Sequence, residues 1–90
     1  MKPLPTAFCV IGLTMAAFAR DVDIAVTELP AAVSASIEKA HPGAILLSAE
    51  KNLNADGGVR HYEVKIRVAD RQKELTVLPD GTIRKDEKDD

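Results

Sequence analysis

The chain has one cysteine, Cys9, and it lies in an apolar N-terminal stretch; from residue 10 onward there is none. That absence excludes a disulfide framework and thiolate chemistry from everything that follows the stretch. Histidine is almost as scarce, with only His41 and His61. Zinc sites draw Cys or His in close pairs, and neither a Cys pair nor a His-x₃-His spacing occurs, so no zinc site is expected. The loop Asn52-Leu53-Asn54-Ala55-Asp56-Gly57 and the acidic C-terminus offer oxygens, but neither has the following Glu that closes a calcium loop. Basic clusters are missing too: 12 Lys and Arg against 14 Asp and Glu, with signs interspersed and a formal net charge of −2, do not suit the polyanionic backbone of nucleic acid.

The same scarcity argues against catalysis. Nucleophilic chemistry needs a nucleophile, a base and an orienting group brought together. Ser34 and Ser36 fall on an expected helix, Ser48 on an expected strand, and only two histidines could serve as base. His41 reads as a helix-end residue near the last carbonyls, where partial positive charge is favourable. His61 reads as one member of a solvated strand face. The expectation is a protein that is not an enzyme, with no catalytic residues, no metal and no cofactor.

What is present begins with an export signal. Lys2 supplies a positive start, and no charged side chain follows from Pro3 to Ala19. The stretch ends in Ala17-Phe18-Ala19, small residues at the two positions a signal peptidase accommodates, followed at once by Arg20 and Asp21. It is shorter than the ~20 apolar residues a membrane span requires. Cys9 lies inside the run, which does not suit lipidation at a cleavage point. A signal peptide at 1–19, cleaved after Ala19, and a periplasmic or secreted location without stable membrane insertion are expected. Loss of Lys2 takes the net charge from −2 to −3. A domain this small buries only about 60% of its unfolded surface.

The rest divides by periodicity. Residues 20–27 read as a polar N-terminal leader. From Leu29 the apolar period is helical, with Leu29, Val33, Ile37 and Ala40 on one stripe and Ser34, Glu38 and Lys39 opposed. Pro30 suits the first turn, and His41-Pro42-Gly43 is the stop. A strand is expected over Ala44–Asn52, with its inward face ambiguous and a bulge plausible. A hairpin loop follows at residues 54–58. The clearest signal is the alternation of Tyr62, Val64, Ile66 and Val68 with His61, Glu63, Lys65 and Arg67. A turn at Asp70-Arg71-Gln72, a strand over Glu74–Leu78, a Pro79-Asp80-Gly81 turn and a short strand over Thr82–Lys85 complete the domain, 28–85. The acidic tail 86–90 has no apolar residue and is expected to fray. The fold class is α+β: one helix on one face of a three- to four-stranded antiparallel sheet, in two layers.

The succession Glu28-Leu29-Pro30-Ala31-Ala32-Val33, Ile37-Glu38-Lys39-Ala40-His41-Pro42-Gly43-Ala44, Tyr62-Glu63-Val64 and Asp80-Gly81-Thr82-Ile83 resembles the PepSY-like family of small exported bacterial domains. The resemblance implies a helix on a four-stranded antiparallel sheet, similar to the repeat unit of the β-lactamase inhibitor protein. For function it implies less: related domains occur in protease propeptides, where an inhibitory or chaperone role is proposed, and as lone periplasmic proteins without an assigned role. The chain holds a single copy where those inhibitors have two, so their extended concave surface does not carry over. His41 stands where an aromatic residue commonly precedes the Pro-Gly.

An antiparallel sheet can leave one face wet. Here that face would carry His61, Glu63, Lys65, Arg67, Glu74, Thr76 and Leu78, the candidate surface for an unknown protein or peptide partner, with Leu78 and an outward Leu47 as apolar anchors. The function expected is a binding module acting by protein or peptide contact. The alternatives are a small-ligand or metal-ion sensor of the cell envelope and a structural homodimer.

Overall fold

The computed structural model describes residues 19–89; the expected signal peptide falls, apart from Ala19, outside the described residues. The element with the strongest alternation, β3 (Val59–Val68), is the middle strand of a five-stranded antiparallel meander. The others are β1 (Arg20–Ile24), β2 (Ile45–Leu53), β4 (Arg71–Val77) and β5 (Ile83–Lys88). Their spatial order is β1-β2-β3-β4-β5, each pair antiparallel. Every other residue of β3 points to the core: Tyr62, Val64 and Ile66 are buried, and Val77 and Leu75, opposite Tyr62 and Val64, are buried with them.

One helix, α1 (Ala31–Ala40), covers that face. Its start needs no side-chain cap, because the Pro30 carbonyl accepts the amides of Val33 at 3.0 Å and Ser34 at 3.1 Å. Its end is set by His41, whose amide still donates to Ile37 at 2.8 Å while the backbone leaves the helical region at φ −136°, ψ 75°. The Pro42 ring disfavours helical dihedrals at the residue before it. Leu29, Val33 and Ile37 form one stripe and share a single core with Ala49, Tyr62, Val64, Ile66, Leu75 and Val77, with Ile83 packed at the margin. Burying each of the large side chains contributes roughly 1.5–3 kcal/mol.

The two-layer α+β architecture is as expected, with five strands in place of three to four. The added strand is β1. Residues 20–24, expected as leader, pair with β2 from Arg20 opposite Leu53 to Ile24 opposite Ala49. A single 3-10 turn (Val26–Glu28) then carries the chain to the helix, the Glu28 carboxylate accepting the Ala25 amide at 2.8 Å. β5 also exceeds its expected end: Asp86, Glu87 and Lys88 pair with Leu75, Glu74 and Lys73, so residues 86–88 of the expected tail are strand, while Asp90 lies outside the described residues. β4 starts at Arg71, leaving Ala69 and Asp70 as the turn, with Ala69 at φ 59°.

Ladder irregularities occur at three places: between Leu46 and Ser48 on β2, between Val59 and His61 on β3, and between Ile83 and Lys85 on β5. Each leaves one residue, Leu47, Arg60 or Arg84, without an opposite partner. The first resolves the ambiguous face of β2: Leu46 lies opposite Ile66 and Ala49 opposite Val64, both on the helix side.

Candidate functional site

The face away from α1 follows from the register. His61, Glu63, Lys65 and Arg67 alternate with the buried residues of β3, and Glu74 and Thr76 do the same on β4. Glu63 lies opposite Thr76, and Lys65 opposite Glu74. Leu78 follows β4 directly and is half-buried. The seven residues singled out in the sequence thus share one face.

They do not form one site. His61, Glu63, Thr76 and Leu78 converge on an open recess of about 350 Å³ that is completed by Arg60, Arg84 and Lys85. Lys65, Glu74 and Glu63 border a second, smaller hollow of about 240 Å³ whose far wall is Asp23, Ser48 and Glu50. Arg67 lines neither. Leu47 is a bulge residue at 40% exposure, and Ile45, opposite Arg67, is the most exposed large apolar side chain among the described residues at 59%.

Within the first recess, His61 Nε2 sits 3.2 Å from Glu63 Oε2, which partners the carboxylate locally. Arg60 donates through Nε to Asn54 Oδ1 at 3.0 Å, anchoring the guanidinium against the β2–β3 loop. Among the described residues, neither Arg84 nor Lys85 has a carboxylate within 4.0 Å. The recess is therefore basic on a protein whose net charge is negative.

Toward β1 the sign reverses. Asp23 lies opposite Glu50, and Glu50 opposite Glu63. Carboxylate oxygens of Asp21, Glu50 and Glu63 come within 4.8 Å of one another. Partial burial, followed by the charges of Asp21, Asp23 and Glu63, raises the Glu50 pKa above its usual value. Asn52 donates to Asp21 at 2.7 Å. Crowded acids of this kind are an ordinary feature of acidic surfaces and by themselves define no ligand.

The two histidines lie on opposite sides of the sheet. His41, at the end of α1, places Nε2 2.7 Å from Asp86 Oδ2, and Lys73 Nζ reaches the other oxygen at 2.9 Å. Burial opposes ionisation of Asp86, but the hydrogen bonds from Lys73 and His41 outweigh it and hold the carboxyl below its usual pKa. This trio ties the helix end to β5 and is structural. Of the seryl hydroxyls, that of Ser36 packs toward the β4–β5 turn at Gly81.

Sequence reasoning missed Arg60, Arg84 and Lys85, and with them Asp21, Asp23 and Glu50. Asp21 and Asp23 were hidden by the reading of residues 20–27 as leader, and Glu50 by the ambiguous face of β2. Arg60 and Arg84 were hidden by bulges, whose only trace is a three-residue gap such as that between Val59 and Tyr62, both on the core side. The chain matches no family model, no characterised protein and no solved structure.

Proposed function

We propose that this chain is an exported binding module of the PepSY-like kind, which holds a protein or peptide segment against the open face of its sheet and catalyses no reaction. The observation that carries the reading is the recess on that face. Four of the seven candidate residues meet there with three further basic side chains, while the apolar core is complete on the opposite side. The core makes no demand on the open face, so its composition is available for recognition. Small ligand sites are typically concave and largely enclosed, whereas this recess is open to solvent along the sheet, the geometry of a surface that receives side chains from a partner.

The export reading is supported by the position of β1, which begins at Arg20, immediately after the small-x-small sequence. In the envelope such a module would act by occupying a partner, as in restraint of a peptidase. The test is site-specific photocrosslinking in the cell envelope, with the crosslinker at Thr76 on the open face or at Lys39 on the solvent side of α1. Adducts from Thr76 alone support the reading. Equal adducts from Lys39, or none from Thr76, refute it.

A further inference from the structure

We infer that the segment held in the recess is acidic, an extended peptide whose carboxylates meet Arg84 and Lys85 and whose apolar side chain rests on Leu78. This rests on the binding-module reading above and names the chemistry of its partner.

The first ground is how the basic residues arrive. In a regular strand, consecutive side chains point to opposite faces, so Arg60-His61 and Arg84-Lys85 could each contribute only one member to a single face. The irregularity on β3 falls between Val59, opposite Leu53, and His61, opposite Asn52. That on β5 falls between Ile83, opposite Val77, and Lys85, opposite Thr76. The two residues passed over are Arg60 and Arg84, and all four basic side chains line the same recess. Bulges are a known means of re-aiming a side chain. Two of them, on strands separated by β4, converge here.

The second ground is charge. Among the described residues, the recess holds three fixed cations, and its one carboxylate, Glu63, is engaged by His61 at 3.2 Å. By contrast Lys65 and Lys73 have Asp89 and Asp86 at 3.5 and 2.9 Å. Hydrogen bonds from Arg and Lys to a carboxylate are among the stronger ones available at a surface. A basic partner would find instead the acids on the β1 side, but those flank a hollow with no unpaired apolar residue comparable to Leu78. Thr76 and the half-buried Leu78, which also line the recess, add a hydroxyl and an apolar surface, which suits a peptide better than a bare inorganic anion.

The experiment is an NMR titration of the ¹⁵N-labelled protein with three synthetic peptides of equal length, alternating Leu with Glu, with Gln or with Lys, and with inorganic phosphate. The Glu peptide is expected to shift the amides of Thr76, Leu78, Arg84 and Lys85. Arg84→Gln combined with Lys85→Gln is expected to weaken it about tenfold or more, while Lys39→Gln, a basic residue on the solvent side of α1, changes the affinity less than about twofold. If the Gln or Lys peptide binds the open face as well as the Glu peptide, the acidic preference is wrong and the binding-module reading stands. If phosphate matches the Glu peptide, the recess is a small-anion site and the peptide assignment is wrong. If none of the four shifts the open face, both readings fall.

Discussion

Gly81 is the position where a single added methyl group tests the architecture most directly. Its backbone sits at φ +98°, and a Cβ built there would lie 2.6 Å from Ser36 Oγ and 2.8 Å from the carbonyl oxygen of Ala32. The two contacts differ in kind. Ser36 can rotate its hydroxyl away, whereas the Ala32 carbonyl belongs to the backbone of α1 and can move only with the helix. A non-glycine residue held in this region costs of order 1–3 kcal/mol, and forcing an atom into a packed contact costs roughly another 1–3 kcal/mol. Gly81→Ala should therefore destabilise by about 2–6 kcal/mol, which at about 4–8 °C per kcal/mol for a domain of this size is a fall of at least about 8 °C in the unfolding midpoint. Gly57→Ala is the internal control, because Gly57 shares the strained backbone at φ +93° but has nothing within 4 Å of an added Cβ. It should show only the backbone penalty. Ser36→Ala in the Gly81→Ala background should recover only part of the loss, since the Ala32 contact persists. Thermal unfolding followed by circular dichroism reads all three. Equal losses for the two glycine variants would show that the β4–β5 turn is not seated on the helix, and full rescue by Ser36→Ala would show that the Ser36 hydroxyl alone, without the Ala32 carbonyl, makes the contact.

Other expectations concern charge and packing. Because the folded-state pKa of Glu50 is raised, the stability linked to it is fully present below its unfolded value and lost as pH rises through the folded one. Glu50→Gln should thus gain a few tenths to about 1 kcal/mol over wild type at pH 7 and nothing near pH 3, by urea denaturation at both pH values. If the acids near Glu50 are only crowded charge, sodium and calcium chloride at matched ionic strength should raise the wild-type midpoint alike; a distinctly larger rise with calcium would point to a coordinated ion. Asp86 has the opposite sign: its lowered pKa contributes stability above its unfolded value that disappears as pH falls through the folded one. Asp86→Asn should cost about 0.5–1 kcal/mol at pH 6, a difference that closes in strong acid. Ile37, 1% exposed in the core, should lose about 2–5 kcal/mol as Ala, whereas Ser34→Ala on the same helix should stay within about 0.5 kcal/mol. A cost for Ile37→Ala below 1 kcal/mol would contradict the packing of α1 on the sheet.

How far this fold can be read from its residues depends on where each element gets its stability. β3 and α1 carry their own signatures, since Tyr62, Val64 and Ile66 alternate and Leu29, Val33 and Ile37 recur at helical spacing, each pattern recording a face that meets the core. β1 and the outer half of β5 do not. Arg20–Ile24 has only Val22 and Ile24 as apolar residues, both half-buried, and Asp86, Glu87 and Lys88 have none. These segments become strands because a neighbour already in the sheet offers unpaired backbone groups, and that offer leaves no mark on the side chains of the segment that accepts it. The same reasoning explains why the candidate face was legible on β3 and β4, whose alternation fixes both faces at once, and silent on β1 and β5.

The bulges set a sharper problem, because they satisfy two demands together. Without them the register would turn Val59 and Ile83 to the open face and drive Arg60 and Arg84 toward the core, where an unpaired guanidinium is strongly unfavourable. With them the apolar residues pack inward and the basic ones line the recess. Keeping charge out of the core explains why positions 60 and 84 point outward, but any polar residue would meet that need. It does not explain why both are arginine beside a second basic residue. Stability and recognition therefore separate by substitution: Arg60→Gln and Arg84→Gln should leave the free energy of unfolding within about 0.5 kcal/mol of wild type, because the bulge and the inward Val59 and Ile83 remain, yet both should weaken an acidic ligand. A loss of stability matching the loss of binding would mean that the arginines serve the fold alone.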